Sequence, residues 1–155
     1  MKKKLKIVSG DKVVDEILAI KDDDIDDLEG YLEQHQVANQ KYYVLSISIA
    51  EIRKDDEDLD SFLKADLSSV PLLKEGLPPI VLGHIERGGP MFDAAVYGWE
   101  RIAGAVKSGH THILSYVPIT GTAFTLDLKK RIKKGEIVPQ YNTDKKDKKA
   151  NKKTR

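Results

Sequence analysis

A chain of 155 residues with 40% hydrophobic content can bury one core of ordinary size, and its lack of cysteine excludes disulfides, thiolate zinc sites and a cysteine nucleophile. No apolar run reaches the roughly 18 residues of a membrane span, and Met1-Lys2-Lys3-Lys4 brings charge in too early for a signal-peptide core, so a soluble, cytoplasmic chain is expected. The net charge of +1 hides two unlike parts: from Lys129 onward twelve Lys/Arg meet three acids, a net of +9, which leaves −8 on the 128 residues before it. A basic end of this kind is either a contact for nucleic acid or another polyanion, or a solvated lysine tail.

Residues 1–20 predict either a hairpin or a strand followed by a helix. Leu5, Ile7 and Val8 suit a strand and Ser9-Gly10-Asp11 suits a turn, while Val13, Ile17 and Ile20 also fit helical spacing. From Asp22 to Gln36 the stripe Ile25, Leu28, Tyr31, Leu32 predicts a helix behind a run of aspartates that favours a helix start. Asp22, Asp24, Asp26 and Glu33 also fall at calcium-loop positions, but Asp27 stands where that loop's sharp turn wants glycine, so the acidic helix start is preferred. Val37–Lys41 reads as a linker. Tyr42–Ile52 alternates through Leu45, Ile47 and Ile49 and is the clearest strand of the first half.

Asp55, Asp56, Glu57, Asp58 and Asp60 form a second acidic cluster, read as a solvated helix start rather than a metal site, with a helix pattern through Leu59, Phe62, Leu63 and Leu67. Leu77-Pro78-Pro79 then fixes an extended lead into Ile80-Val81-Leu82. Gly88-Gly89-Pro90 marks a turn, so Ile80–Ile85 and Met91–Tyr97 are expected to pair as a hairpin. His84 and Glu86 flank that turn and are explained by hairpin polarity. After Val117, Phe124, Leu126, Leu128 and Ile132 predict a last helix or strand-helix, and from Tyr141 the lysine-rich chain predicts disorder.

The stretch from Tyr97 to Val117 organises the rest. An apolar strand meets Gly98, a helix pattern follows with Ile102, Ala105 and Val106, Gly109 stops it, and a strand, Ile113–Val117, follows at once. Such a unit presents backbone N–H groups at the helix start, where the dipole favours negative charge, with Arg101 in the first turn; the fitting guest is a phosphate. His110 and His112 lie two apart and share one face of an extended chain, but no third ligand accompanies them, and no metal site is assigned.

Leu77-Pro78-Pro79-Ile80-Val81-Leu82, the hairpin, Gly98-x-x-Arg101-x-x-Gly104-Ala105 and Gly109-x-Thr111-x-Ile113 together resemble the ParB/sulfiredoxin-like superfamily over residues 42–118. The resemblance implies an α+β fold: a ParB/sulfiredoxin-like mixed sheet with helices over residues 41–140, a small N-terminal extension over 1–40 and a disordered basic tail over 141–155. It also implies nucleotide phosphates held by the backbone of Gly98, Trp99 and Glu100 and by the Arg101 guanidinium, whose fork suits phosphate oxygens. Three departures narrow it. Trp99 stands where sulfiredoxin has its reactive cysteine, which excludes sulfinic-acid reduction. Gly-Trp-Glu-Arg replaces the Gly-Glu-Arg-Arg of partition proteins, with no glutamine-proline-arginine motif upstream for CTP. After residue 118 there is no room for the family's helix-turn-helix reader of DNA.

The leading expectation is therefore a nucleotide-binding ParB-like domain in DNA-related processes of a phage, plasmid or other mobile element, with NTPase or nuclease activity as options and a nucleoside triphosphate with Mg²⁺ as cofactor. A second is a phosphotransferase using Glu100 or Asp93 as base. A third is a non-catalytic interaction protein that meets a partner through its acidic surface.

Overall fold

The central strand is where alternation is cleanest. Tyr43, Leu45 and Ile47 point to one face and Tyr42 and Val44 to the other, and all five are buried, because the sheet is covered on both sides. In the computed structural model, which describes residues 4–21, 25–49, 52, 72, 76–83, 95–120 and 123–141, this strand is β2, Lys41–Ser48. It is preceded by β1 (Ile7–Ser9), α1 (Gly10–Ile20), α2 (Leu28–Gln34) and a single 3-10 turn at Val37–Asn39. After it come β3 (Ile80–Leu82), β4 (Ala95–Tyr97), α3 (Trp99–Lys107), β5 (His112–Pro118), α4 (Ala123–Lys133) and β6 (Val138–Pro139).

The expected α+β class with a mixed sheet is present. The strand order is β1-β2-β5-β3-β4, with β6 also on β2. The β2–β5, β1–β2, β2–β6 and β3–β4 pairs are antiparallel, while β3 runs parallel to β5. The antiparallel pairing expected of Ile80–Ile85 with Met91–Tyr97 is present over the described residues, with Val81 opposite Tyr97 and Leu82 opposite Ala95. Register explains the two cores. Leu45, Ser115 and Ile80 lie side by side on one face, and Val44, Tyr116, Val81 and Tyr97 on the other.

Ile102 and Ala105 of α3 and Leu128 of α4 pack on the first face, whereas Val13 and Ile17 of α1 and Leu32 of α2 pack on the second. The result is a sheet between two helical layers. Each fully buried aliphatic side chain contributes about 1.5–3 kcal/mol of transfer free energy, so neither layer is ornamental. The described residues before β2 are accordingly part of the sheet and its cover: β1 pairs with β2, and α1, α2 and Val37 of the 3-10 turn pack on the second face.

Of the two readings of residues 1–20, the structure takes strand then helix. Ser9 is the N-cap of α1, its hydroxyl accepting from the Lys12 N–H at 3.4 Å, and β1 finds its partner in β2 rather than in residues 13–20. The expected strand to Ile52 ends at Ser48, where Ile49 donates to the Thr111 carbonyl and Ile52 turns back onto the Ile49 carbonyl. The helix expected over 22–36 is shorter, starting at Leu28 behind Asp27, whose carboxylate accepts from the Gly30 N–H at 3.3 Å. The last apolar pattern is a helix, α4, followed by the short β6. Asp22 and Asp24, the acidic cluster at 53–60 and the helix pattern after it, His84, Glu86, the turn at 88–90, Asp93 and the tail after Tyr141 lie outside the described residues.

Candidate anion site at the start of α3

The chain arrives at this site along β4 and leaves along α3, and Gly98 makes the corner. Its φ of 115° is a conformation that side-chain-bearing residues avoid, and a Cβ there would overlap Ile80 Cγ2 and lie 2.5 Å from Ile80 Cβ. Gly98 is thus doubly required: the corner is left-handed, and it rests directly on the first residue of β3. As N-cap it has no side chain to offer the first turn. The Gly98 carbonyl accepts from the Ile102 N–H at 3.0 Å, which starts the helix.

The next three residues face different ways. Trp99 is half-buried and packs on the margin of the core beneath α3. Glu100 is exposed in the first turn, where a carboxylate suits the positive end of the helix dipole. Arg101 is buried, with 5% of its surface exposed. Its Nη1 donates to the Pro78 carbonyl, and its Cζ lies 5.6 Å from the centre of the Tyr97 ring. The proline-led approach to β3 therefore has a second use: Pro78 cannot donate, but its carbonyl holds the guanidinium against the corner.

The positive charge reaches across the sheet edge. Tyr116 of β5 donates to Glu16 Oε1 of α1 at 2.6 Å. Burial, followed by that hydrogen bond and the charge of Glu16, pushes the Tyr116 phenol well above its ordinary range, and Arg101 pulls it down by a smaller amount. Burial alone raises its ring neighbour Tyr42 to about 12. At the outer edge, the Tyr31 hydroxyl of α2 donates to the Val96 carbonyl of β4 at 2.5 Å, pinning the strand that delivers Gly98.

The structure thus brings together Gly98, Trp99, Glu100 and Arg101 of the expected set, while Asp93 lies outside the described residues. His110 and His112 flank the start of β5, both exposed, with His112 Nδ1 2.9 Å from Thr111 Oγ1. Among the described residues no group of three metal-binding side chains forms, and no helix is long and apolar enough to cross a membrane. Pro78, Tyr97, Tyr116 and Glu16 escape a reading of the sequence as parts of the site. The proline motif signals only extended backbone, and a hydrogen bond spanning one hundred residues leaves no local pattern. Compared with models of protein families, with curated proteins and with solved structures, the chain matches none of the three.

Proposed function

We propose that the corner at Gly98 binds the phosphate of a nucleotide, and that the chain is a nucleotide-binding domain of the ParB/sulfiredoxin-like kind acting in DNA-related processes. The observation that carries this reading is a buried cation, Arg101, in the first turn of a helix whose N-cap has no side chain. A guanidinium shielded from water strengthens the positive field of a helix start more than an exposed one does. Held by the Pro78 carbonyl, Arg101 acts chiefly as a fixed charge behind the amides of the first turn rather than as a freely reaching fork.

Thermal shift with ATP, ADP, CTP and GTP, each with Mg²⁺, tests the reading. Ligand at one hundred times its dissociation constant stabilises by about 2.7 kcal/mol. Arg101→Lys keeps the charge and loses the planar hydrogen-bonding fork, so it should keep part of the shift, and Arg101→Gln should abolish it. If no nucleotide and no inorganic phosphate moves the wild-type transition, the assignment fails.

A second reading draws on α1, α2 and the turn leading into α2, where Asp11, Asp15, Asp26, Asp27, Glu29 and Glu33 are exposed. Residues 11–33 hold ten acids against two lysines. That layer suits a basic protein partner, and pull-down by such a partner without any nucleotide shift would favour it over the first.

A further inference from the structure

The helices on the two faces of the sheet carry opposite charge. On one face, the exposed acids of α1, α2 and the turn before α2 are accompanied, among the described residues of that stretch, only by Lys12 and Lys21. On the other, residues 123–136, which are α4 and the turn after it, hold five Lys/Arg against two acids. Lys129, Lys130, Lys133 and Lys134 are exposed. Of the two acids, Glu136 accepts from Arg131 Nε at 3.2 Å, so that pair adds no net charge.

The sheet keeps these charges apart. Leu128 of α4 is buried in the core of one face, and Val13 and Ile17 of α1 and Leu32 of α2 are buried in the core of the other. Each helix turns its remaining sides to water, so the lysines of α4 and the acids of α1 and α2 lie on opposite sides of the molecule and cannot meet within one chain. Each charged side also carries apolar surface. Leu126 of α4, 63% exposed, is the one large apolar side chain that a helix leaves in water among the described residues, and its spacing puts it on one stripe with Lys130 and Lys133. Opposite, Val14, Leu18, Ile25 and Leu28 are only half-buried at the margin of the second core.

We propose that the chain binds a second copy of itself head to tail, with α4 of one molecule seated on the α1–α2 layer of the next. The proposal rests on the reading of that layer as a surface for a basic protein partner, and it names the partner. A polyanion would match α4 alone and an unrelated basic protein the acidic layer alone, whereas a second copy matches both. Like sides repel, which fixes the orientation. The contact is heterologous: every chain added leaves one acidic and one basic side uncovered, so assembly does not stop at a dimer. Exposed ion pairs are individually weak, so several must form together around Leu126, and the association depends on salt, whose screening length falls from about 10 Å at 0.1 M to about 3 Å at 1 M.

Sedimentation velocity of the full chain, from about 10 to 500 μM at 20 mM and at 500 mM salt, tests the proposal. At low salt the average mass of the wild type should climb with concentration past that of a dimer, and at high salt it should return to the monomer. K130E/K133E, which spoils the basic side, and D15K/E33K, which spoils the acidic side, should each stay monomeric at low salt. Mixed in equal amounts they should form a dimer and nothing larger, because one intact side remains on each; that result also shows that both variants fold. Leu126→Ala, which changes no charge, should weaken the association about tenfold. A wild type that stays monomeric at 20 mM salt overturns the proposal, and so do a wild-type mass that levels off at a dimer and a mixture of the two variants that stays monomeric. Titration with an oligolysine peptide then separates the two failures. Binding to wild type that is lost in D15K/E33K leaves the acidic layer as a surface for some other basic partner while self-association falls, and no binding removes both.

Discussion

Two corners of this sheet are written in the same way and built differently. At each, a short strand meets a glycine and turns into a helix: β1 through Gly10 into α1, and β4 through Gly98 into α3. At the first, Ser9 caps the helix with its hydroxyl and Gly10 fits under backbone, where a Cβ would overlap the Val37 carbonyl oxygen and lie 2.7 Å from that of Gln40. The Gly10 N–H is itself spent on the Gln40 carbonyl at 2.8 Å. At the second, the glycine is its own cap, in left-handed backbone, resting on a side chain, with a buried arginine one turn on. One corner is closed by its own chemistry and does structural work. The other keeps a buried cation in the first turn of a helix whose N-cap residue has no side chain. A glycine between strand and helix therefore says nothing about function until the cap and the first-turn charge are known.

The largest expected effect comes from filling the glycines. Gly98→Ala combines left-handed strain with overpacking on Ile80 and should cost on the order of 2–5 kcal/mol in urea unfolding. Gly10→Ala should be comparably damaging for a different reason, and the difference is measurable. Truncating Ile80 to Gly removes both side-chain atoms that Gly98→Ala collides with, Cγ2 and Cβ, so that double variant should be more stable than the sum of its single effects. The obstacle to Gly10→Ala is main-chain oxygen, which no side-chain truncation removes. Full additivity in the Gly98/Ile80 pair would contradict the packing described for the second corner.

A middle-sized effect should come from Tyr116, which touches the first region through Glu16 and feels the charge of the second through Arg101. Tyr116→Phe removes a hydrogen bond to a carboxylate and should cost about 1.5–3 kcal/mol near neutral pH. The pH dependence has a definite sign. Tyr42 and Tyr116 hold their protons more tightly in the folded chain than at the ordinary tyrosine value of 10.0, so the folded state binds more protons above pH 10 and stability falls as pH rises. Their contribution is intact below pH 10 and is lost toward pH 12 for Tyr42 and beyond that for Tyr116. Urea midpoints between pH 9 and 12 should decline for wild type and less steeply for Tyr116→Phe; equal slopes would break the coupling of the two regions.

The smallest effect sharpens the contrast in caps. Ser9→Ala should cost roughly 0.5–1 kcal/mol, because the long 3.4 Å hydrogen bond to the Lys12 N–H is lost. Ser9→Asp should recover it, a carboxylate being a good cap at the positive end of α1.

Much of this architecture is legible in residues alone. Alternation through Leu45 and Ile47 marks β2, and Gly98, Ile102, Ala105 and Gly109 bracket α3 to within two residues of its ends. Ser9-Gly10-Asp11 is not decidable locally, since the same three residues suit a turn or a helix cap. The choice goes to helix because Val13 and Ile17 need a surface to cover, and that surface is assembled from residues 44, 81, 97 and 116. The burial of Arg101 is hidden for the same reason: in the sequence it is a first-turn cation, and only the approach of Pro78 and Tyr97 withdraws it from water.

Local periodicity, the two glycine corners and the imbalance of charge along the chain are properties of neighbouring residues, so the sequence by itself determined them. The cover on the second face, the clamp on Arg101 and the antiparallel bridge between Leu5 and Tyr141 depend on segments far apart in the chain. Tertiary structure alone decided those, because hydrogen bonds and burial act over a few ångströms of space regardless of the residues between.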